Sequence, residues 1–564
     1  MYLICIRSLQ RCKVVATWLI SSGSHILLHL SCLPYWSDVM KSTSLLIILM
    51  AFGSIGRAQM ADPSVELANT IQASTIKQLV YYLASDSLEG RETGTEGNKK
   101  AAAYIAAQFA SYGIPPIPGD GDYFQEVGFT SFKWDNITMT ASGQPYEHTK
   151  DFLCIPQSFP VQQEDLNISS LTFLGYGIDD EAYSDYKGVD VRGKHLLVYG
   201  GEPLTPSEKY LITGSDSASV WSYDPTLKVE AEKRAGAASL WIIEGHFKEY
   251  VMFARKRLLS GSVEMKKPED LNEFIPWGLL SPALGETLAG DKVKKLIKTR
   301  DKITRTGKPA RMTLPSQVTV HAVQRIETIP GSNVLGYIEG TDPSMKDEVL
   351  VVSAHYDHLG IRGSNIFHGA DDNASGTSAV LEIAQAFSEA KQKGIGPRRS
   401  VLCMLVTGEE KGLLGSQYYS EHPVFPLANT IADVNIDMIG RMDSNHQDSL
   451  YTYVIGADRL STELHEINEA ANAKYTHLAL DYTYNAPDDP NQFYYRSDHY
   501  NFAKNGIPAI FFFSGVHDDY HRPTDTPDKI MYGKAEIIAR LAFHTAWELA
   551  NRDKRIVVNV TDKN

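Results

Sequence analysis

The most regular feature of the sequence is a series of continuous apolar runs in its second half, each about as long as a strand. These runs are "VLVVSAH" (349–355), "VLCMLV" (401–406), "IADVNIDMIG" (431–440) and "IPAIFFFSG" (507–515). Strands covered on both faces show this continuous pattern, whereas half-exposed strands alternate. Between the first two runs lies a segment with one apolar helical stripe, formed by Val380, Ile383, Ala384 and Phe387. We therefore predict an α/β fold with a mostly parallel central sheet flanked by helices.

The first half of the chain is organised differently. Residues 74–114 have the pattern of two helices around a glycine-rich loop, and segments rich in β-forming residues follow. From about residue 160 to 320 the character changes again, with a turn-to-strand passage, "VRGKHLLVY" (191–199), and a helix-to-strand passage, "AGAASLWII" (235–243). None of these segments concentrates catalytic residue types. We therefore predict an inserted accessory domain over residues 161–322.

The amino terminus contains a segment typical of a secretory signal peptide. Residues 40–58 begin with Met40 and Lys41, continue into an apolar stretch and end in small residues. This stretch is shorter than the roughly 20 residues that cross a bilayer, so we expect no stable membrane insertion. We expect cleavage after Ala58 and export to a periplasm or the medium. Residues 1–39 are then an upstream extension from a mis-assigned start, with a membrane anchor as the alternative.

Composition limits the possible partners. The chain has 564 residues, 43% hydrophobic and 22% charged, which is ordinary for a soluble protein of two or more folding units. The formal net charge of −14 argues against nucleic acid and anionic membranes as partners. After the predicted signal peptide the chain retains only Cys154 and Cys403, so we expect no disulfide framework.

Side chains that can bind metal are concentrated where the apolar runs end. They are, in chain order, His355, Asp357, Asp371, Glu409, Glu410, Asp437 and His521. In open α/β sheets the working site lies beyond the carboxyl ends of the strands. A ligand set of two histidines and three of these five carboxylates, without a thiolate, favours a hydrolytic zinc centre over a structural one. One carboxylate more than a single ion requires indicates two bridged ions, which together bind the substrate carbonyl and the attacking water.

The consecutive pair Glu409 and Glu410 offers two separate roles. Side chains of neighbouring extended residues point to opposite sides, so one carboxylate can bind metal while the other takes a proton.

A family resemblance becomes specific when these segments are taken in order. The segments "SAHYDH" (353–358), "GADDNASG" (369–376), "TGEEKGLLGS" (407–416), "NIDMIGR" (435–441), "SDHYNFAKNGIPAIFFF" (497–513) and "YHRPTDTPDKI" (520–530) resemble the motifs of the co-catalytic zinc exopeptidases. That family includes secreted bacterial leucyl aminopeptidase and glutamate carboxypeptidase. The resemblance implies a zinc-exopeptidase (phosphorylase/hydrolase-like) domain formed by residues 63–160 and 323–555. The intervening segment 161–322 resembles the β-rich protease-associated domain that is often inserted in exported peptidases.

The resemblance implies a ligand set for two zinc ions. Carried over by motif, His355 and Asp437 would bind one ion, and Glu410 and His521 the other. Asp371 would bridge the two ions.

The resemblance also implies roles around the ligands. Glu409 would be the general base, taking a proton from the attacking water and delivering it to the leaving amine. Asp357 would orient the imidazole of His355. A cis peptide bond is expected between Asp371 and Asp372, and Ser497 and Asp498 are candidate residues of the substrate pocket.

Other polar residues near the motifs have no counterpart in the family pattern. We predict that His358 and His368 are spectators and that Asp372 forms hydrogen bonds with the site loop. His499 and His517 lie near the pocket in sequence and are predicted to have no role in metal binding.

Together these features predict an exported zinc aminopeptidase that removes amino-terminal residues from peptides or proteins. A glutamate-type carboxypeptidase is the first alternative, and it needs a cationic pocket to which Arg441 or Arg496 could contribute. A glutaminyl cyclase shares the fold but uses one zinc ion, whereas the intact His355 and Asp371 favour two. The alternative from outside the enzymes is an inactive peptidase-like binding ectodomain, although no expected ligand is missing.

Overall fold

The computed structural model describes residues 62–119, 121–160, 165–265 and 274–560. The predicted signal peptide (40–58) and the upstream extension (1–39) lie outside the described residues. Within the described ranges, no helix combines the length and the apolar character needed to cross a membrane.

Helices and strands alternate along most of the described chain. The helices are α1 (Pro63–Ala68), α2 (Ala73–Leu83), α3 (Glu96–Ser111), α4 (Pro225–Ala235), α5 (Phe247–Ser260), α6 (Pro282–Ala289), α7 (Val293–Thr306), α8 (Gly376–Gln392), α9 (Leu414–Glu421), α10 (Thr462–Ala471), α11 (His499–Ala503) and α12 (Tyr532–Asn551). The strands before residue 340 are β1 (Phe124–Ala141), β2 (Gln144–Tyr146), β3 (Phe152–Leu153), β4 (Leu166–Leu174), β5 (His195–Tyr199), β6 (Ser239–Ile243), β7 (Ser262–Glu264), β8 (Trp277–Leu280) and β9 (Arg311–Ile338). The later strands are β10 (Val349–His355), β11 (Gly360–Arg362), β12 (Asn365–Phe367), β13 (Ser400–Val406), β14 (Thr430–Ile436), β15 (Tyr451–Ile455), β16 (Ala479–Asp481) and β17 (Ala509–Phe513).

The central part of the sheet is parallel, as the apolar runs predict. Strand β10 pairs in parallel with β13 on one side and with β14 on the other, and β14 pairs in parallel with β17. Antiparallel strands flank this group, β9 beside β13 and β15 beside β17. The predicted apolar runs coincide with β10, β13, β14 and β17, so the predicted α/β class is confirmed.

Both faces of the central sheet are covered, which explains why the strand sequences do not alternate. Leu350 and Val352 of β10 belong to a core that includes residues of α2, α3, α8 and α12. Val349 and Val351 point to the opposite face, where the core includes residues of α9 and α11. Because successive side chains of a strand alternate between faces, every position of β10 is buried.

A second core forms in the preceding part of the chain. The long strands β1 and β9 pair antiparallel from Phe124 opposite Val334 to Ala141 opposite Val318. Beyond β9 the sheet continues through β4, β5, β6 and β8, which are parallel to one another, and α4 to α7 lie in the same stretch of chain. The accessory unit predicted as β-rich is therefore a mixture of strands and helices.

The second core begins before the predicted boundary at residue 161. Met139 of β1 and Phe152 of β3 pack in it together with Leu171 of β4 and Trp241 of β6. The reason is that β1 and β9 run without interruption from the central sheet into this region, so the core follows the strands. The likeness of this region to a protease-associated domain stays a prediction.

Candidate metal centre

The polar residues predicted from the strand ends meet at one edge of the sheet. His355 is the last residue of β10, and Asp437 directly follows β14. Glu409 and Glu410 lie in a short 3-10 turn after β13, and His521 lies in the loop after β17. Because parallel strands place their carboxyl ends at the same edge, residues far apart in sequence become neighbours.

One group of donor atoms lies around His355. Its Nε2 is 3.4 Å from Oδ1 of Asp437 and 3.4 Å from Oδ1 of Asp372. Within the described residues, His355 Nε2 and Asp437 Oδ1 are buried without a hydrogen-bond partner. Ligands at about 2.0–2.1 Å from a tetrahedral zinc ion lie about 3.3–3.4 Å apart, so the spacing of these atoms suits one ion. His355, Asp372 and Asp437 thus form a candidate metal site.

A second group of donor atoms lies around Glu410. Nε2 of His521 is 3.1 Å from Oε1 of Glu410 and 3.1 Å from Oδ2 of Asp372. The two oxygens of the Asp372 carboxylate therefore face different groups, Oδ1 the first and Oδ2 the second. A carboxylate shared in this way is the arrangement required to bridge two metal ions.

The structure places Asp372, and not the predicted Asp371, between the two donor groups. Oδ1 of Asp371 accepts a hydrogen bond of 2.6 Å from the backbone of Gly440, and Oδ2 is 3.3 Å from Nε2 of His517. Oδ1 of Asp371 thus has a backbone partner and Oδ2 is buried without a hydrogen-bond partner in the described part of the chain. The Asp372 carboxylate, in contrast, lies between the two donor groups. The cis peptide bond is likewise displaced, from the predicted Asp371–Asp372 to Asp372–Asn373.

The loop that carries Asp372 is held by buried charged residues outside the metal groups. The carboxylate of Asp525 accepts hydrogen bonds of 3.0–3.2 Å from the backbone N–H groups of Asp371 and Asp372. Arg91 is fully buried and donates to the carbonyl oxygens of Tyr356, His368 and Gly369 at 2.8–2.9 Å. Sequence reasoning missed both roles, although Asp525 lies in the segment "YHRPTDTPDKI" that carries His521.

Glu409 lies beside the first group without belonging to either one. Its Oε2 is 3.9 Å from Nε2 of His355, and its backbone N–H donates to Oδ1 of Asp357 at 3.2 Å. Burial raises the pKa of Glu409 well above its ordinary value, and the nearby carboxylates of Glu410 and Asp498 add to that rise against the opposing charge of His355.

The adjacent Glu410 behaves in the opposite way. Burial alone would raise the pKa of Glu410, but its hydrogen bonds with His358 and His521 hold it well below the ordinary value. Two neighbouring carboxylates with pKa values displaced in opposite directions suit the predicted division between a proton acceptor and a ligand.

Asp357 connects the first group to Glu409 through its backbone and its side chain. Nδ1 of His355 is 3.1 Å from the backbone oxygen of Asp357, while the Asp357 carboxylate is farther away, at 3.7 Å. Donation from Nδ1 to that oxygen leaves Nε2 as the acceptor that faces the metal site. The predicted orienting role falls mainly on the Asp357 carbonyl, and its carboxylate binds Thr93 and the Glu409 backbone.

Ser497 contacts a predicted ligand, and Asp498 follows it in the chain. Oγ of Ser497 donates to Oδ2 of Asp437 at 2.9 Å and accepts from Nδ2 of Asn435 at 2.8 Å. Oδ1 of Asp498 accepts from Oγ of Ser416 at 2.5 Å, and burial raises the pKa of Asp498 to about 7. Both residues are buried, and their role in a substrate pocket stays a prediction.

His358, predicted to be a spectator, lies next to the second group. Its Nδ1 is 3.1 Å from Oε1 of Glu410 and 3.6 Å from Oδ2 of Asp372. His368, the other predicted spectator, pairs instead with Asp86 at 2.8 Å. The short spacing of His358 from His355, two residues after Tyr356, was the signal in the sequence that could have singled it out.

Comparison with known protein families identifies the family of the part of the chain that contains these donor groups. Residues 333–546 match the description Peptidase family M28. These residues belong to Peptidase family M28. The M28 segment contains β10, β13, β14 and β17 and each of the donor residues of both groups, so the predicted family resemblance is confirmed.

Curated relatives match the M28 part of the chain. A probable leucine aminopeptidase of Arthroderma otae is 31% identical over 217 residues, which cover 37% of this chain and 56% of the relative. An aminopeptidase of Bacillus subtilis is 26% identical over 215 residues, which cover 37% of this chain and 42% of the relative. The chain thus spans about half the length of these relatives.

A solved structure extends the fold comparison to most of the chain. An aminopeptidase from Aneurinibacillus sp. strain AM-1 superposes with a TM-score of 0.52 at 19% identity, covering 89% of this chain and 100% of the other. At this level of identity the likeness concerns the fold, and it includes the region of the second core.

Proposed function

We propose that this protein is a zinc aminopeptidase that hydrolyses the first peptide bond of peptides or proteins. The observation that carries the proposal is the position of Asp372, whose two carboxylate oxygens face two separate groups of buried donor atoms. Membership of residues 333–546 in Peptidase family M28 supports the peptidase activity. The names of the curated relatives support the choice of the amino terminus.

The donor atoms fit zinc. They are imidazole nitrogens and carboxylate oxygens, the set found in hydrolytic zinc sites, and their separations of 3.1–3.4 Å suit tetrahedral coordination. His355 and Asp437 would hold one ion, Glu410 and His521 the other, and Asp372 both. Such ions polarise the scissile carbonyl and make a water molecule nucleophilic at neutral pH.

Glu409 is the residue that transfers the proton in the proposed reaction. Its carboxylate lies 3.9 Å from Nε2 of His355, at the edge of the first group, and binds neither set of donors. Glu409 takes a proton from the attacking water and delivers it to the leaving amine, as a general base and then a general acid. Asp357 fixes both partners of this step, because its carbonyl oxygen binds His355 and its carboxylate binds the Glu409 backbone.

The arginines near the site favour an aminopeptidase over a carboxypeptidase. Arg441 forms an ion pair of 3.0 Å with Asp519. Arg496 stacks over the ring of Phe493 and donates to the hydroxyl of Tyr520 at 3.5 Å. A carboxypeptidase needs a guanidinium free to bind the substrate carboxylate. Both guanidinium groups make contacts within the protein, and Nη1 of Arg441 alone is left without a hydrogen-bond partner in the described residues.

A glutaminyl cyclase and an inactive binding protein both fit the site less well than a peptidase. A cyclase with one zinc ion would need only one of the two donor groups that the Asp372 carboxylate faces. An inactive binding ectodomain would not need Glu409 or the complete ligand set.

We also propose that the protein is exported. The support is the sequence of residues 40–58, which has the order of charge, apolar stretch and small residues that signal peptidases recognise. Amino-terminal sequencing of protein secreted by the native host should begin after Ala58. A mature protein that retains residues 40–58 would contradict export by this signal.

A panel of matched peptides tests the aminopeptidase. Peptides with a free amino terminus should be shortened from that end, and the same peptides with an acetylated amino terminus should be untouched. Dialysis against a zinc chelator should abolish the cleavage, and added zinc should restore it. Equal cleavage of the acetylated peptides, or loss of residues from the carboxyl end, would contradict the proposal.

A further inference from the structure

Asn333 of β9 is fully buried, and its amide contacts both ends of the loop that carries Glu409 and Glu410. Oδ1 of Asn333 accepts a hydrogen bond of 3.3 Å from the backbone N–H of Thr407, which directly follows β13. Nδ2 donates at 2.9 Å to the carbonyl oxygen of Gly415, in the first turn of α9. One side chain therefore joins the residue before the loop to a residue after it.

The partners of Asn333 permit one orientation of its amide. The backbone N–H of Thr407 can only donate and the carbonyl oxygen of Gly415 can only accept, so Oδ1 and Nδ2 cannot be exchanged. The second N–H of Nδ2 donates to Oε1 of Gln125 at 2.9 Å. Both N–H groups and the oxygen of the amide are thus used, as expected of a polar group that is fully buried.

The two ends of the loop lie against each other beside this amide. A Cβ atom added at Gly415 would overlap the carbonyl oxygen of Thr407 and lie 2.6 Å from Oδ1 of Asn333, so only glycine fits there. Within the loop, Leu413 has a φ of +60°, in the left-handed region that a bulky side chain rarely adopts. Such a conformation persists only where the surrounding contacts hold it, so the closed loop depends on its anchors.

The loop backbone determines where Glu409 lies. The N–H of Glu409 donates to Oδ1 of Asp357 at 3.2 Å, and its Oε2 lies 3.9 Å from Nε2 of His355. Glu410 has a close side-chain partner in His521, at 3.1 Å. Within the described residues, no hydrogen bond holds the carboxylate of Glu409 itself. Its position therefore depends on the backbone between Thr407 and Gly415.

We propose that Asn333 is a positioning residue for Glu409, which holds the loop closed at both ends and so places the carboxylate for proton transfer. This inference rests on the proposed function, in which Glu409 is the general base. Asn333 acts through the loop and does not touch the substrate, because its amide is buried and all its hydrogen bonds lie within the protein. Displacing a reacting group by about 1 Å can cost about 10²-fold in rate.

Kinetics of two variants and a matched control test this role. Asn333→Ser has a hydroxyl too short to reach both anchors, whereas Asn333→Asp keeps the shape and the Thr407 bond but cannot donate to Gly415. Gln125→Ala is the control, because it removes the hydrogen bond of Asn333 that leads away from the loop. We expect kcat on amino-acid p-nitroanilides to fall by about 10–10²-fold in both Asn333 variants, with KM and zinc content unchanged, and to stay unchanged in Gln125→Ala.

A double-variant cycle separates positioning from a general loss of structure. If Asn333 acts through Glu409, Asn333→Ser should lower kcat by less than about twofold in the Glu409→Gln enzyme, because the group that it positions is already absent. The same loss in both backgrounds would show a merely structural role and overturn the inference, as would wild-type kcat in both Asn333 variants. A wild type that cleaves no peptide would instead overturn the proposed function, a result that no Asn333 variant is needed to recognise.

Discussion

Two regions of this chain contain parallel strands with acidic residues at their carboxyl ends, and only one of them has the donor groups of a metal centre within the described residues. In the second core, Glu202 follows β5 and Glu244 directly follows β6. In the M28 region, Glu409 and Glu410 follow β13 and Asp437 follows β14. The position at a strand end is the same, so position alone does not make a metal site.

The difference lies in what the carboxylates face. In the second core, Oε1 of Glu202 accepts from Oγ of Ser222 at 2.9 Å, and Oε1 of Glu244 accepts from the backbone N–H of His246 at 2.9 Å. The buried Lys228 nearby donates to the carbonyls of Tyr176 and Gly201 at 2.7–2.8 Å. These groups therefore face N–H and O–H donors or carbonyl acceptors of the protein, and Oε2 of Glu202 is the one carboxylate oxygen of this pair that is buried without a partner in the described residues.

In the M28 region, hydrogen-bond acceptors of different residues lie next to one another. Oδ1 of Asp437 and Nε2 of His355 lie 3.4 Å apart, both buried and without hydrogen-bond partners in the described part of the chain. Such an arrangement is costly unless a cation lies between the atoms. The comparison teaches that a strand-end carboxylate indicates a metal site when its neighbours are other ligands instead of N–H donors.

The largest effect should come from the residue shared by both donor groups. Asp372→Asn removes the charge that serves both ions, so zinc content should fall below one ion per chain and peptidase activity should become undetectable. Asp371→Asn is the matched control, because Asn can still accept the Gly440 hydrogen bond. Metal analysis after dialysis measures the effect. The reverse pattern, with zinc lost from Asp371→Asn and kept by Asp372→Asn, would restore the bridging assignment made from sequence.

The next effect separates the chemical step from metal binding. Glu409→Gln should lower kcat by about 10²–10⁴-fold, the usual contribution of a general base, while zinc content stays at the wild-type value. Glu244→Gln, at a strand end of the second core, should leave kcat unchanged. Rates of amino-acid p-nitroanilide hydrolysis, with zinc measured in the same samples, give both numbers. Activity retained by Glu409→Gln would show that another group accepts the proton.

The strands and the convergence of polar residues at their ends could be predicted from the sequence. Continuous apolar runs predicted β10, β13, β14 and β17, because a strand buried on both faces has no other pattern. Polar side chains at the carboxyl ends of parallel strands converge. This rule predicted that His355 lies near Asp437 and Glu410, although each is at the end of a different strand.

The sequence did not predict the local geometry of the loops, because the spacing of apolar residues does not determine how a loop turns. Adjacent Asp371 and Asp372 have the same chemistry, and only the turn of the backbone between β12 and α8 decides which carboxylate faces the ligands. His358 was missed for a related reason. Its neighbours Glu410 and His521 come from other strand ends, and their approach depends on the loop packed against Gly369.

A smaller effect should come from a donor behind the first group. Ser497→Ala removes the hydrogen bond of 2.9 Å to Oδ2 of Asp437, so zinc affinity should fall by about 10-fold, at the low end for residues that position a ligand. Ser222→Ala removes an equivalent donor from Glu202 in the second core and should not change zinc affinity. Competition with a chromophoric chelator measures both. Equal affinities in Ser497→Ala and wild type would mean that Asp437 is positioned by other contacts.

The smallest expected effect is a change in the pH dependence of stability, caused by a residue of the second core. Glu232 of α4 is fully buried, neither carboxylate oxygen has a hydrogen-bond partner within the described residues, and burial raises its pKa to about 9. The folded state therefore binds one proton more than the unfolded state between the ordinary value of 4.5 and about 9, so this residue makes stability fall as pH rises through that window.

Glu232→Gln removes this dependence, because an amide has no proton to lose. The variant should match the wild type at pH 5 and melt roughly a few degrees higher at pH 9. Glu230→Gln, at an exposed position of the same helix, should follow the wild-type curve at both values. Melting temperatures measured by calorimetry between pH 5 and pH 9 test this prediction. If the Glu232→Gln curve kept the wild-type slope, Glu232 would not be the source of the pH dependence, and its carboxylate would have to have a partner as those of Glu202 and Glu244 do.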